Sequence, residues 1–242
     1  MKRYRKYIPV LILLLLFVFL VFNLNDMEPL IYEFFDIHLG NVGSYDIPKL
    51  TEQFLVVAFL SCFMSLVIGL SIGIFCLTDL GKEFLPVIDK LSMLMRSFPE
   101  IAMLRFVIPL LGLGVWPAVI ALTVYGVLPI IYSTISGVNN INADILKVAE
   151  GMGMSKWQIV KNIQIPLATP VIISALRVSL ISCIGGATLA TSTGAEGLGV
   201  LLGAGQSTYN VVLIMEAAVL ICLLSLATDK CLRILERKFT FN

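Results

Sequence analysis

Lys147 to Pro166 reads KVAEGMGMSKWQIVKNIQIP, a polar stretch set between apolar segments of membrane-crossing length, and its internal punctuation decides the fold. Just upstream, Asp144 can cap a short helix in which Ile145, Val148, Ala149 and Met152 recur at helical spacing, giving one apolar face and a polar back. Gly151 and Gly153 weaken that helix. Ser155, with Gln158 three residues on, forms a capping box that opens a second amphipathic helix bearing Ile159, Ile163 and Trp157. Pro166 and Pro170 suit the first turn of a further helix, where a missing N–H is no loss. The expected element is a two-helix island, ordered enough to serve as a docking surface.

The flanks explain why an island is needed. Of 242 residues, 58% are hydrophobic and only 14% charged, with a mean hydropathy of +0.96, which is too apolar for a soluble domain. A crossing needs about 20 apolar residues, and six segments qualify or nearly so: Ile8 to Leu24, Phe54 to Leu77, Ile101 to Gly114, Ala118 to Ile135, Val171 to Thr191 and Val211 to Ala227. The third is short. Positively charged short loops stay in the cytoplasm. Lys2, Arg3, Arg5 and Lys6 therefore put the N-terminus inside, and Asp26, Glu28, Glu33, Asp36 and Asp46 fall outside. Lys82 and Lys90, the island, and the tail with Lys230, Arg233, Arg237 and Lys238 return inside, so both termini are cytoplasmic. An uncleaved first helix fits residues 8 to 24 better than a signal peptide, because the run is long and no small-x-small site follows.

Several chemistries are not offered. No Gly-x-x-x-x-Gly-Lys-Ser/Thr loop is present, and the single histidine, His38, serves no triad and has no metal partner nearby. Cys62, Cys76, Cys183, Cys222 and Cys231 lie in or beside apolar runs without metal-ligand spacing and read as reduced core residues. The chain is thus expected to be no enzyme, to hold no metal or cofactor and to bind no nucleic acid. Ionisable side chains inside spans are expensive and mark function by default: Glu100 and Arg105 in the third span, Arg177 in the fifth and Glu216 in the sixth. Arg105 and Glu216 are candidates for lining or gating a pathway, or for a buried pair that fixes packing. Phe98-Pro99-Glu100 predicts a bend, and Pro109, Pro117 and Pro129 predict broken or kinked helices. Gly185, Gly186, Gly194, Gly197, Gly199, Gly203 and Gly205 suit a subunit interface or a re-entrant gate.

The island resembles the EAA loop of the membrane subunits of ATP-binding-cassette importers, written Glu-Ala-Ala, three residues, Gly, nine residues, Ile-x-Leu-Pro. Ala149, Gly153, Ile163 and Pro166 fall in register, whereas Lys147 stands for Glu, Val148 for Ala and Ile165 for Leu. The run AEGMGMSKWQIVKNIQIPLATPVIISALR, with Gly186-Ala187-Thr188-Leu189-Ala190 and the upstream Phe98 to Gly137, is similar to the osmoprotectant permeases for glycine betaine, choline and carnitine. That resemblance implies an all-α type I importer fold with a permease domain over 51–242, a coupling loop over 138–166, and an anchor helix with external segment over 1–50. It implies docking of the ATPase near Lys147, Ala149, Glu150, Gly151, Gly153, Ser155, Lys156, Ile163 and Pro166. It also implies partners: two ATPase subunits carrying ATP and Mg, a second permease subunit, and an external solute-binding protein in a bacterial or archaeal cell membrane. With the basic tail ending at Asn242, the receptor is expected on a separate chain. Methionine or polar amino acids are the alternative cargo, and an ATP-independent channel or secondary transporter is the alternative class.

Overall fold

The structure, a computed structural model, describes residues 7–34, 45–78 and 80–239. Lys2, Arg3, Arg5, Lys6, Asp36 and His38 lie outside the described residues. Among the described residues, ten α-helices follow one another: α1 (Ile8–Phe34), α2 (Ile47–Phe75), α3 (Leu85–Ser97), α4 (Glu100–Leu111), α5 (Val115–Asn139), α6 (Ala143–Gly151), α7 (Lys156–Ile159), α8 (Ile165–Leu189), α9 (Gly199–Ser207) and α10 (Val211–Phe239). Five helical stretches among these residues are long and apolar enough to cross a membrane: Ile8–Glu33, Ile47–Phe75, Val115–Asn139, Lys156–Thr193 and Val211–Phe239.

The third expected span is not among them. Residues 101–111 of it lie in α4, which has 12 residues and at 1.5 Å per residue covers about 18 Å, against a hydrocarbon core of about 30 Å. Helix α3 precedes it as a separate piece. Phe98 and Pro99 are extended, with ψ of 124° and 133°, so the bend expected at that proline is a full break. The two pieces run against α5: Tyr132 OH donates to Asp89 Oδ1 at 3.1 Å, Tyr125 OH to Phe98 O at 2.6 Å, and Gly114 N–H to Thr193 O at 2.8 Å beyond the end of α8.

Other boundaries shift for local reasons. Helix α1 continues ten residues past the expected Leu24 and takes Asp26, Glu28 and Glu33 with it. Helix α2 begins at Ile47, because Pro48 occupies its first turn and Asp46 accepts from Lys49 N–H at 3.1 Å. The domain boundary expected at 50/51 therefore falls inside a helix. Phe17, Val21 and Leu24 of α1 join the same core as α10. Pro117 and Pro129 leave α5 unbroken.

A seam of small residues holds α2 on α5. Ser61, Ser65, Gly69 and Gly73 recur one turn apart and are all buried. A Cβ at Gly69 would collide with Ile130, one at Gly73 with Thr134, and one at Gly126 with the hydroxyls of Ser65 and Ser179. Ser65 Oγ lies 2.7 Å from Ser61 O and 3.0 Å from Thr123 O, and Ser179 Oγ on α8 donates to Gly126 O at 2.9 Å. Backbones approach because side chains are missing, and the buried hydroxyls donate to backbone carbonyls.

Candidate functional site

The loop between α5 and α8 is built by its own short-range chemistry. Asn142, not Asp144, caps α6: its Oδ1 accepts from Asp144 N–H at 2.9 Å, and Asp144 instead pairs with Lys147 at 3.3 Å on the surface. Gly151 is the last residue of α6. Termination belongs to Gly153, at φ +80°. There Gly153 N–H donates to Glu150 O at 2.9 Å and Met154 N–H to Ala149 O at 3.2 Å, the double bond of a Schellman turn. The capping box follows as read: Ser155 N–H donates to Gln158 Oε1 at 2.8 Å, and Gln158 N–H to Ser155 Oγ at 3.3 Å.

The two-helix island needs correction at its far end. Helix α7 is the first turn of a continuous helix that enters α8 through a π-helical segment, Val160–Gln164, in which Ile165 N–H bonds to Val160 O five residues back. Pro166 and Pro170 each lack the donor a regular α-turn would use, and the wider turn ahead of them absorbs the mismatch without a break.

Side-chain placement divides the expected apolar faces. Ala149 and Ile159 are buried. Ile145, Val148 and Met152 form a stripe that stays exposed, at 43%, 62% and 69%, with Trp157 at 59%. A short amphipathic helix with its apolar stripe turned outward is incomplete alone. Lys147, Glu150, Gly151, Gly153, Ser155, Lys156 and Pro166 are exposed, whereas Ile163 is half-buried in the π segment. Beneath the loop a cleft of about 190 Å³ brings Glu150, Lys156 and Gln164 to Leu77 and Lys82 of the α2–α3 connection. The loop thus touches two parts of the bundle.

Among the intramembrane ionisable residues, Arg105 and Glu216 do not pair. Arg105 is exposed on α4, and Glu216 is buried on α10 with Oε1 unpartnered, within electrostatic range of Glu28 on α1. Arg177 is the residue that ties helices: it bridges from α8 to Asp229 at 3.5 Å and Glu236 at 3.7 Å on α10. Their charges alone gave no sign of this pairing, because Asp229 and Glu236 sit in what reads as a basic tail. Glu100 occupies the first turn of α4, where the helix dipole favours a carboxylate. A Cβ at Gly186 would strike that carboxylate and Leu122. The glycine of the Gly-Ala-Thr-Leu-Ala run is therefore the space Glu100 occupies.

Of the remaining glycines, Gly185 and Gly203 are exposed with open space where a Cβ would go, and others pack within this chain. Gly199 packs against Thr188 O, Gly205 against Ile214, and Gly194 takes φ +80° to turn the chain after α8. Glu196 reaches Lys49 at 3.8 Å with both side chains more than half exposed, a contact of small energetic weight. All five cysteines are unpaired. Cys62, Cys76 and Cys183 are buried as read, but Cys222 and Cys231 are exposed on α10.

Residues 65–241 match the family model described as binding-protein-dependent transport system inner membrane component. The chain belongs to this family. Among relatives of this inner membrane component, the "Glycine betaine/carnitine/choline transport system permease protein OpuCB" of Bacillus subtilis is 35% identical over 190 residues, covering 78% of this chain and 87% of the relative. The "Osmoprotectant import permease protein OsmW" of Salmonella typhimurium is 32% identical over 203 residues, covering 82% and 93%. The fold matches the inward-facing MetNI methionine ABC transporter with a TM-score of 0.72 at 23% identity, over 82% of this chain and all of that one. As a transport component of this family, the chain is an all-helical, multi-pass membrane protein and not itself the ATPase.

Proposed function

We propose that this component is the permease of an importer for quaternary-amine osmoprotectants such as glycine betaine, choline and carnitine. An external solute-binding protein delivers the cargo, and alternating access carries it inward. A second permease subunit, identical or paralogous, completes the pathway. ATP and Mg are held by a partner ATPase and not by this chain. The cargo reading is supported by one relative named for glycine betaine, carnitine and choline transport and another named for osmoprotectant import.

The observation that carries the coupling reading is the exposed stripe Ile145, Val148 and Met152 beside Trp157, on a loop fixed by a Schellman turn and a capping box. It presents a rigid apolar surface with Lys147, Glu150, Gly151, Ser155 and Lys156 at its rim, as a subunit interface requires. The loop side bears the lysines and arginines, so it is the cytoplasmic side. Closure of the ATPase around nucleotide would push this loop, and through the cleft at Lys82 and Glu150 the base of α3, while Ala149, Gly153, Ile163 and Pro166 keep its shape.

The test is uptake of labelled glycine betaine, choline and carnitine into liposomes holding the full complex, with Val148→Asp alongside. Uptake that needs ATP, and that falls together with ATPase co-purification in Val148→Asp, is the expected result. Uptake without ATP would overturn the reading, and an ATPase that stays bound to Val148→Asp would remove the stripe from the interface.

A further inference from the structure

The outer face of α10 changes character along its length. Met215, Val219, Cys222 and Leu226 stand exposed in one row at helical intervals of three and four residues. Lys230, half-buried, and Arg233 and Arg237, both exposed, continue the same row at the same intervals. From Val211 to Asp229 the helix rises about 27 Å, close to the hydrocarbon thickness of about 30 Å. The row therefore turns cationic where the hydrocarbon of one leaflet ends. From Lys230 to Arg237 it rises about 10 Å more, enough to pass through a headgroup layer about 5–7 Å deep.

The acids of this segment do not neutralise those cations. Asp229 stands four residues before Arg233, a spacing at which a helix pairs opposite charges. Yet Asp229 and Glu236 both turn to Arg177 on α8, at 3.5 and 3.7 Å. Among the described residues, Lys230, Arg233 and Arg237 enter no ion pair. Arg177 thus has a second effect besides joining two helices: it holds the acids inward and leaves three cations in line on the outer face. A helix C-terminus and a cytoplasmic flank both favour positive charge, but either is served by charge anywhere around the last turns. Neither requires three cations to continue the apolar row.

We propose that Lys230, Arg233 and Arg237 bind the phosphate of an anionic phospholipid whose acyl chains lie along Leu226, Cys222 and Val219. Arginine meets phosphate oxygens in pairs, and lysine adds a point charge. The occupant is a lipid and not a soluble anion, because the cationic patch runs without interruption into an apolar one and an amphiphile satisfies both ends. The inference needs this chain to span a bilayer and is independent of its cargo.

Native mass spectrometry of the full-length chain tests it, by titration with phosphatidylglycerol or with phosphatidylcholine of the same acyl chains. Saturable binding that favours phosphatidylglycerol is expected in the wild type. Lys230→Gln, Arg233→Gln and Arg237→Gln should each weaken that binding about fivefold, near what one cation at a membrane surface contributes, with phosphatidylcholine unaffected and Lys230→Arg close to wild type. Lys161→Gln, which removes an exposed lysine of the π segment, should change nothing. Equal affinity of the wild type for the two lipids overturns the site. So does an equal loss in Lys161→Gln, which would make the attraction one of overall charge. In the assembled complex the preference should persist, and its disappearance there would assign this face to a neighbouring subunit and overturn the lipid.

Discussion

Gly153 at φ +80° has open space where a Cβ would go, so replacing it is a conformational experiment and not a steric one. Gly153→Ala should cost about 1 kcal/mol locally. Amide exchange at Gly153 and Met154, the two donors of the Schellman turn, is then expected to accelerate about fivefold, and unchanged exchange would show that the turn does not hold α6. At Arg177 the cost is electrostatic. Arg177→Met removes an ion-pair partner from both Asp229 and Glu236 in a partly buried setting and should destabilise the protein by about 1–3 kcal/mol, read as a lower Tm in detergent. Arg177→Met with Asp229→Asn and Glu236→Gln should recover part of that loss, and a triple variant no better than the single would sink the ion-pair account. Among the described residues Lys147 has Asp144 as its ion-pair partner, on the surface, so Lys147→Glu should leave the Tm unchanged. Its effect belongs to the ATPase contact, and uptake and docking equal to wild type would show that the lysine plays no part there.

Helices α2, α5 and α8 meet through absences. The turn-by-turn recurrence of Ser61, Ser65, Gly69 and Gly73 was present in the sequence, but its partner surface was not, since Thr123, Gly126, Ile130 and Thr134 lie some 60 residues further along. Gly126→Leu should overpack the crossing by about 1–3 kcal/mol and lower the Tm, with partial recovery when Ser65→Ala and Ser179→Ala are added. No recovery would mean that the damage lies elsewhere. The break between α3 and α4 was half legible. Phe98-Pro99 announced the bend, but the length of each piece was set by what received its ends: Tyr132, Tyr125 and the Gly114 contact to Thr193. The π segment was invisible, because two prolines after a capping box read equally well as a new start. Only the continuous burial of Ala168, Ile172 and Ile173 beyond it keeps the helix in one piece.

At the scale of the whole molecule, the bundle has one large core and a smaller cluster of Val138, Ala168 and Ile172 towards the coupling loop. Val148→Asp should abolish ATPase docking while leaving the stability of the isolated permease within about 0.5 kcal/mol of wild type, since that side chain is 62% exposed. A large loss of stability would place Val148 inside the fold instead. Composition, apolar run length and the spacing of Ala149, Gly153, Ile163 and Pro166 by themselves determined a multi-pass helical transport component and where its partner loop lies, because those signals are local: a span is recognised by its own residues, and a capped turn by its neighbours. The tertiary structure alone decided which apolar residues of the loop stay outside, that Arg177 and not Arg105 binds acidic partners across helices, that Glu100 sits in the space of Gly186, and that Asp89 faces a cleft. Each of those depends on which helices lie side by side, and pairing between distant segments is a property of the packed whole that no single stretch of sequence carries.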